Sequence, residues 1–148
     1  MAAVFVDTTT LLYTLDPQDP QKQAVATAWL RRLRLSRQIV LSPQVLNECY
    51  AVVRRKAAFA AARPMVRAYL SDHARWATAP VGPETTEQAW RLEDQYGLAW
   101  WDALLLASAG QAGCRLFLTE DLNDGQLYGD VRVIDPFRHT PEAAMAEV

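Results

Sequence analysis

Four short apolar runs, "AVFV" (residues 3–6), "QIVLS" (38–42), "RLFLT" (115–119) and "VRVID" (131–135), are separated by segments with helical spacing. Runs this short and this rich in β-branched residues suit buried strands. Strands alternating with helices predict an α/β chain, with a parallel sheet covered by helices on both faces. In such sheets ligands bind beyond the C-terminal strand ends. The residues just after the runs therefore carry the first functional information, and two of them are acids, Asp7 and Asp121.

The intervals carry helix signals. Asp19 caps a helix begun by Pro20, "PQKQAVATAWLRRLRL", with Ala24, Ala28 and Leu35, and Val25 and Leu33 nearby, on its apolar side. Ser42 caps "PQVLNECYAVVRRK", whose Val45, Leu46, Cys49, Val52 and Val53 recur at helical spacing. Pro64 opens a helix that runs to about Trp76. "ETTEQAWRLEDQY" ends at Gly97, and "WWDALLLASAGQAG" closes at Gly113. "EDLNDGQ" reads as a polar loop. Residues 1–138 form one domain, and residues 139–148 read as a frayed tail.

The chain has 148 residues, 51% of them hydrophobic and 22% charged, which suits one domain with a real core. No apolar run is long enough to span a bilayer. "MAAVFVD" lacks the basic leader of a signal peptide. Cys49 and Cys114 read as reduced core residues, so a cytoplasmic protein with no membrane association is expected. The net charge of −2 is unevenly spread, +6 over residues 1–83 and −8 over residues 84–148. A basic surface near an acidic one is one reading; unrelated solvated faces are the other.

Acids stand at four positions that one sheet edge can bring together. Asp7 and Asp121 follow strands. Glu48 lies in the second turn of its helix, beside Leu46, Cys49 and Val52. Asp102 lies among apolar neighbours, where an unpartnered charge is expensive. Singly, each has an ordinary role available. Asp7 can cap the turn into "TTTLLY", and Asp102 can favour a helix N-terminus. Glu48 can pair with Arg54 or Arg55, and Asp121 can be a plain loop acid. Clustered, they would repel and bind their protons more tightly. Mg²⁺ or Mn²⁺ relieves that through carboxylate oxygens and retained waters. His73 and His139 lack zinc-ligand spacing. An acid-only metal site suits phosphodiester hydrolysis.

Together, "VFVDTTTLLY", "LSPQVLNECYAVVRRK", "WWDALLLASAGQAGC" and "LFLTEDLNDGQ" resemble the PIN domain, and more narrowly the VapC-type toxins of bacterial toxin–antitoxin pairs. The resemblance runs from about Val4 to Phe137 and rests on the order and spacing of the motifs. It implies a PIN-like fold with a central parallel sheet of four to five short strands. It also implies a Mg²⁺-dependent endoribonuclease in which Mn²⁺ substitutes. The family's acidic positions fall on Asp7, Glu48, Asp102 and Asp121, the implied catalytic and metal-binding set. Hydroxyl support falls on Thr119 and on Thr9, where the family often has Asn or Ser. Asp124 is an extra acid without a family role. The implied partners are an RNA substrate, a VapB-type antitoxin and a second copy of the chain in a homodimer.

Arg54, Arg55 and Lys56 follow Glu48 by about two helical turns. They are either RNA contacts or a solvated helix end. Trp100 is compatible with base stacking. Trp101 reads as core, and Trp29, Trp76 and Trp90 as core or interface. "KAAFAAARPM" (56–65) reads as a contact surface or a plain helix junction. The alternatives are a housekeeping PIN-domain RNA-processing nuclease, a binding module that has lost catalysis, and a phosphatase using Asp7 as nucleophile. Thr9 stands where the phosphatase pattern needs a second aspartate.

Overall fold

The computed structural model describes residues 1–56 and 62–147. Its sheet has five strands, β1 (Val4–Val6), β2 (Ile39–Val40), β3 (Leu116–Leu118), β4 (Leu127–Tyr128) and β5 (Val131–Ile134), in the order β2-β1-β3-β5-β4. The first four in that order run parallel, as the alternation of runs and helices requires. β4 is an antiparallel edge strand on β5. It has two residues and directly follows the stretch read as a polar loop, too short for any period-two signal. Its turn needs Gly129 at φ 61°, a left-handed backbone that residues with a Cβ disfavour.

Helices flank the sheet: α1 (Thr8–Tyr13), α2 (Pro20–Leu35), α3 (Pro43–Arg55), α4 (Arg63–His73), α5 (Pro83–Tyr96), α6 (Trp100–Gln111) and α7 (Pro141–Met145). A 3-10 turn at Ala74–Trp76 extends α4 to the residue expected. α1 packs on α2 and α3, α3 packs on α4, and α5 packs on α6. The caps are those the sequence announces: Asp19 accepts from Lys22 N–H, Ser42 from Val45 N–H, and α5 ends on Gly97 at φ 67°. None of the described helices is long and apolar enough to cross a membrane. Cys49 and Cys114 are free and buried.

Some expectations are corrected. The buried stripe of α2 is Ala26, Trp29, Leu30 and Leu33, while Ala24, Val25, Ala28 and Leu35 face water. The large indole sets the register: with Trp29 inward, positions 26, 30 and 33 share its face. Trp90 is exposed and so is not core, and Trp101, read as core, is 62% exposed. Residues 103–109 of α6 are buried, and Trp100 packs half-buried against Ala89, Ala103, Leu104 and Ala107. The next position along the helix then points outward. Residues 57–61 of the alanine-rich segment lie outside the described residues.

Phe5 and Phe117 stack at 5.1 Å in the sheet, at the centre of a core reaching α2, α3, α4 and α6. Beyond β5 the tail carries α7, capped by Thr140, with Pro141 and Ala144 buried. Trp29 ties this region to α2. Its indole N–H donates to the carbonyls of Pro136 at 3.0 Å and His139 at 3.2 Å. Trp29→Phe keeps most of the apolar volume but leaves those carbonyls without this donor. It should lower unfolding free energy by about 1–2 kcal/mol in urea titration. An unchanged midpoint would show that the tether contributes nothing.

Candidate functional site

The register of β1 on β3 places the site. Val6 pairs with Leu118, so the next residues, Asp7 and Thr119, emerge side by side at the C-terminal edge. Asp7 N–H donates to Leu118 O at 3.2 Å, extending the ladder by one bond. The Asp7 carboxylate is only 5% exposed. Its Oδ1 accepts from Thr10 N–H at 2.8 Å, capping α1, and its Oδ2 accepts from the Thr119 hydroxyl at 2.5 Å. Cap and candidate working group are thus one and the same side chain.

The three threonines after Asp7 distribute contacts around it. Thr8 Oγ1 donates to Glu48 Oε2 at 3.3 Å, and Thr9 Oγ1 donates to Asp121 Oδ2 at 2.9 Å. Thr10 Oγ1 donates to Leu118 O at 3.2 Å. Glu48 is held from a second side by Gln44 Nε2 at 2.5 Å, one turn earlier on α3. Asp121 N–H donates to Thr119 Oγ1 at 3.1 Å, so Thr119 links two acids. Asp102, in the first turn of α6, is half-buried.

The four acids share one electrostatic field. Burial pushes the Asp7 carboxyl up to about 7; the hydrogen bonds from Thr10 and Thr119 oppose this, and the Asp121 charge adds to it. Burial also raises Asp102, and the charges of Asp121 and Glu48 push it the same way. Among the described residues no cation pairs with any of the four. The ion pairs are Lys22–Glu120, Arg34–Asp72 and His139–Asp124. Arg54 and Arg55 lie exposed at the end of α3. Asp124 is occupied elsewhere, accepting from Asp135 N–H at 2.9 Å and bonding His139 Nε2 at 2.7 Å.

Among the described residues, no three His, Cys, Asp or Glu side chains are grouped closely enough to hold one ion directly. The donor set nevertheless fits Mg²⁺ or Mn²⁺. It is all carboxylate oxygen, it is uncompensated by cations, and Mg²⁺ commonly takes only one or two protein carboxylates and fills its shell with water. Zinc is poorly matched: both cysteines are buried in the core, and His139 is bound to Asp124.

Thr8 and Gln44 were not singled out from the sequence. Gln44 stands four residues before Glu48 on the same helix face, a spacing that brings side chains together. Thr8 had no such signal, because its partner lies forty positions away.

The raised Asp7 pKa has a direct consequence for the metal-free protein. A carboxyl with a folded pKa near 7 and an unfolded value near 3.8 favours the native state at low pH, and loses that contribution as pH rises from about 4 to 7. The metal-free unfolding temperature should fall over that window. Asp7→Asn, which retains a capping oxygen, should flatten the slope and be the more stable form at pH 8, by up to about 4 kcal/mol. Asp102→Asn should act in the same direction. A pH profile by differential scanning calorimetry that is identical in wild type and Asp7→Asn would refute this.

Comparison with known proteins follows the same lines. No curated protein matches the chain. One solved structure of similar fold is the DNA-bound VapBC complex of Salmonella typhimurium. It is 16% identical, with a TM-score of 0.67, over 92% of this chain and 99% of that one. Another is VapC20 of Mycobacterium tuberculosis, a toxin that cleaves the sarcin-ricin loop. It is 20% identical, with a TM-score of 0.57, over 88% and 99% of the two chains. The family model described as "PIN domain" matches residues 4–126, from β1 through the acid-bearing loop after β3, and the chain belongs to the PIN-domain family.

Proposed function

We propose that the chain is a Mg²⁺- or Mn²⁺-dependent endoribonuclease that acts as a VapC-type toxin and is neutralised by a VapB-type antitoxin. One observation carries the reading: at the C-terminal edge of the sheet, Asp7, Glu48, Asp102 and Asp121 share one field, and no cation among the described residues pairs with them. When bound, the metal would supply Lewis acidity to a water and to the scissile phosphate. The carboxylates would hold it, with Asp7 as the central ligand and Asp102 and Asp121 completing the site directly or through water. Glu48, fastened by Thr8 and Gln44, would bind metal or orient the attacking water. Thr119 and Thr9 keep Asp7 and Asp121 in place. No histidine base is needed.

A hollow of about 210 Å³ lined by Thr9, Leu12, Tyr13, Asp16, Val52 and Lys56 adjoins the cluster, because the Thr9 hydroxyl touches Asp121. It supports Lys56 as the RNA contact among the three basic residues at the end of α3. The exposed Trp101, adjacent to Asp102, is better placed for base stacking than the packed Trp100. The toxin reading is supported by the shared fold with the two VapC-containing structures. An antitoxin covering the acids and a homodimer belong to the same proposal.

Cleavage ends mapped in RNA from cells expressing the protein should be discrete. They should be absent with Asp7→Asn and suppressed by the product of an adjoining small gene. In vitro cleavage should require Mg²⁺ or Mn²⁺ and stop with EDTA. Cleavage undiminished in Asp7→Asn would sink the assignment. Trp101→Ala should weaken binding of single-stranded RNA by about 1–3 kcal/mol, read by fluorescence anisotropy. Equal binding by Trp101→Ala and wild type would remove the indole from the substrate path.

A further inference from the structure

The loop that carries Thr119 and Asp121 contains a fifth acid, Glu120, which is turned away from the other four and fully engaged. Its Oε1 accepts from the Tyr13 hydroxyl at 2.5 Å and its Oε2 from Lys22 Nζ at 2.6 Å. Lys22 Nζ also donates to the Tyr13 hydroxyl at 3.2 Å. The ammonium lies 4.9 Å from the Tyr13 ring centre and 4.8 Å from that of Phe137. These rings meet edge to face at 5.2 Å. A cation within about 6 Å of two aromatic rings and bonded to a carboxylate is held from several sides. The cluster joins the end of α1, the start of α2, the loop after β3 and the segment after β5.

The placement of this cluster gives it a second role. Thr119 N–H makes a sheet bond to Ile134 O at 3.0 Å, and the chain then leaves the ladder. Past that point, Glu120 fastens the loop on one side, while Thr119 and Asp121 face the acid cluster on the other. Glu120 sits in a bend between them, so gripping its carboxylate on Tyr13 and Lys22 restrains the backbone that carries both neighbours. The grip also neutralises a carboxylate one residue away from Asp121. Lys22 is one of only two lysines in the chain.

We propose that Lys22, seated between Tyr13 and Phe137, is a positioning residue for divalent-metal binding, acting through Glu120 on Thr119 and Asp121. This rests on the metal-dependent reading of the acid cluster and adds to it a clamp on the far side of the loop. Lys22 does not touch the metal or the substrate.

The test is Mn²⁺ binding by calorimetry to the full chain, alongside unfolding temperature without metal. Lys22→Met keeps an aliphatic stem between the rings and removes the charge. It should weaken Mn²⁺ binding by about tenfold, in the range for partners that orient metal ligands. Lys22→Arg should recover most of the loss. Arg34→Met breaks another ion pair made by α2, Arg34–Asp72 to α4, and should leave Mn²⁺ affinity unchanged. Tyr13→Phe, a gentler change should Lys22→Met fail to fold, should weaken Mn²⁺ binding in the same direction. Wild-type affinity in both Lys22→Met and Tyr13→Phe would overturn the clamp, as would equal weakening by Arg34→Met. Absence of Mn²⁺ binding by wild type would instead overturn the metal reading itself.

Discussion

The parallel pairing of Val6 with Leu118 is the contact on which the candidate site depends. It sets Asp7 beside Thr119 and lets one hydroxyl close on one carboxylate. A slip of a single residue would turn Asp7 to the opposite face of the sheet. Asp7 also fixes where α1 begins. Once α1 begins there, Thr8 and Thr9 reach acids on α3 and on the loop after β3. One strand register therefore propagates, through one capping carboxylate, into the positions of residues far apart in the chain.

This arrangement opposes stability locally. Burial disfavours the ionised form of the Asp7 carboxyl, which is 5% exposed, and the charge of a second acid disfavours it further. Hydrogen bonds from Thr10 and Thr119 offset only part of that. The remainder is carried by the apolar core beneath, where the stacked Phe5 and Phe117 and the buried stripes of α2 and α3 close the sheet. Local conflict supported by a consistent surrounding fold is the pattern expected of a functional site. It also explains why hydroxyls, rather than cations, surround the acids. A fixed lysine or arginine would satisfy them permanently, whereas neutral donors orient them without cancelling the charge.

Much of the fold was legible because it rests on local signals. The four parallel strands follow from short apolar runs, and α2 and α3 from a cap followed by proline. The four acids could be assigned to one edge because a parallel sheet gathers its C-terminal ends. What was not legible depended on distant partners or on packing. Glu120 looked like any loop acid until Lys22 and Tyr13 came beside it. Asp124 gave no sign of its bonds to Asp135 and His139. The buried face of α2 was misjudged because alanines and leucines recur all round it, and only Trp29 distinguishes the faces. Trp100 and Trp101 are adjacent and identical in composition, so a rotation of one helical step decides which is wet.

The uneven charge of the chain acquires a spatial meaning in this fold. A net charge of −2 argues against a polyanionic ligand, but the acids and bases occupy different elements. The acidic half contributes Asp102, Glu120 and Asp121 near the sheet edge, while Arg54, Arg55 and Lys56 stand exposed at the end of α3, with Lys56 lining the hollow beside Thr9. On the proposed reading, a phosphate chain meets the basic end of α3 as it nears the acids, and the repulsion those acids exert falls when a divalent ion is bound. Electrostatics would then couple the two events: the same carboxylates that bind the ion repel RNA without it. The basic end of α3 lowers that barrier from one side, and the neutral hydroxyls of Thr8 and Thr9 leave it controlled by the ion.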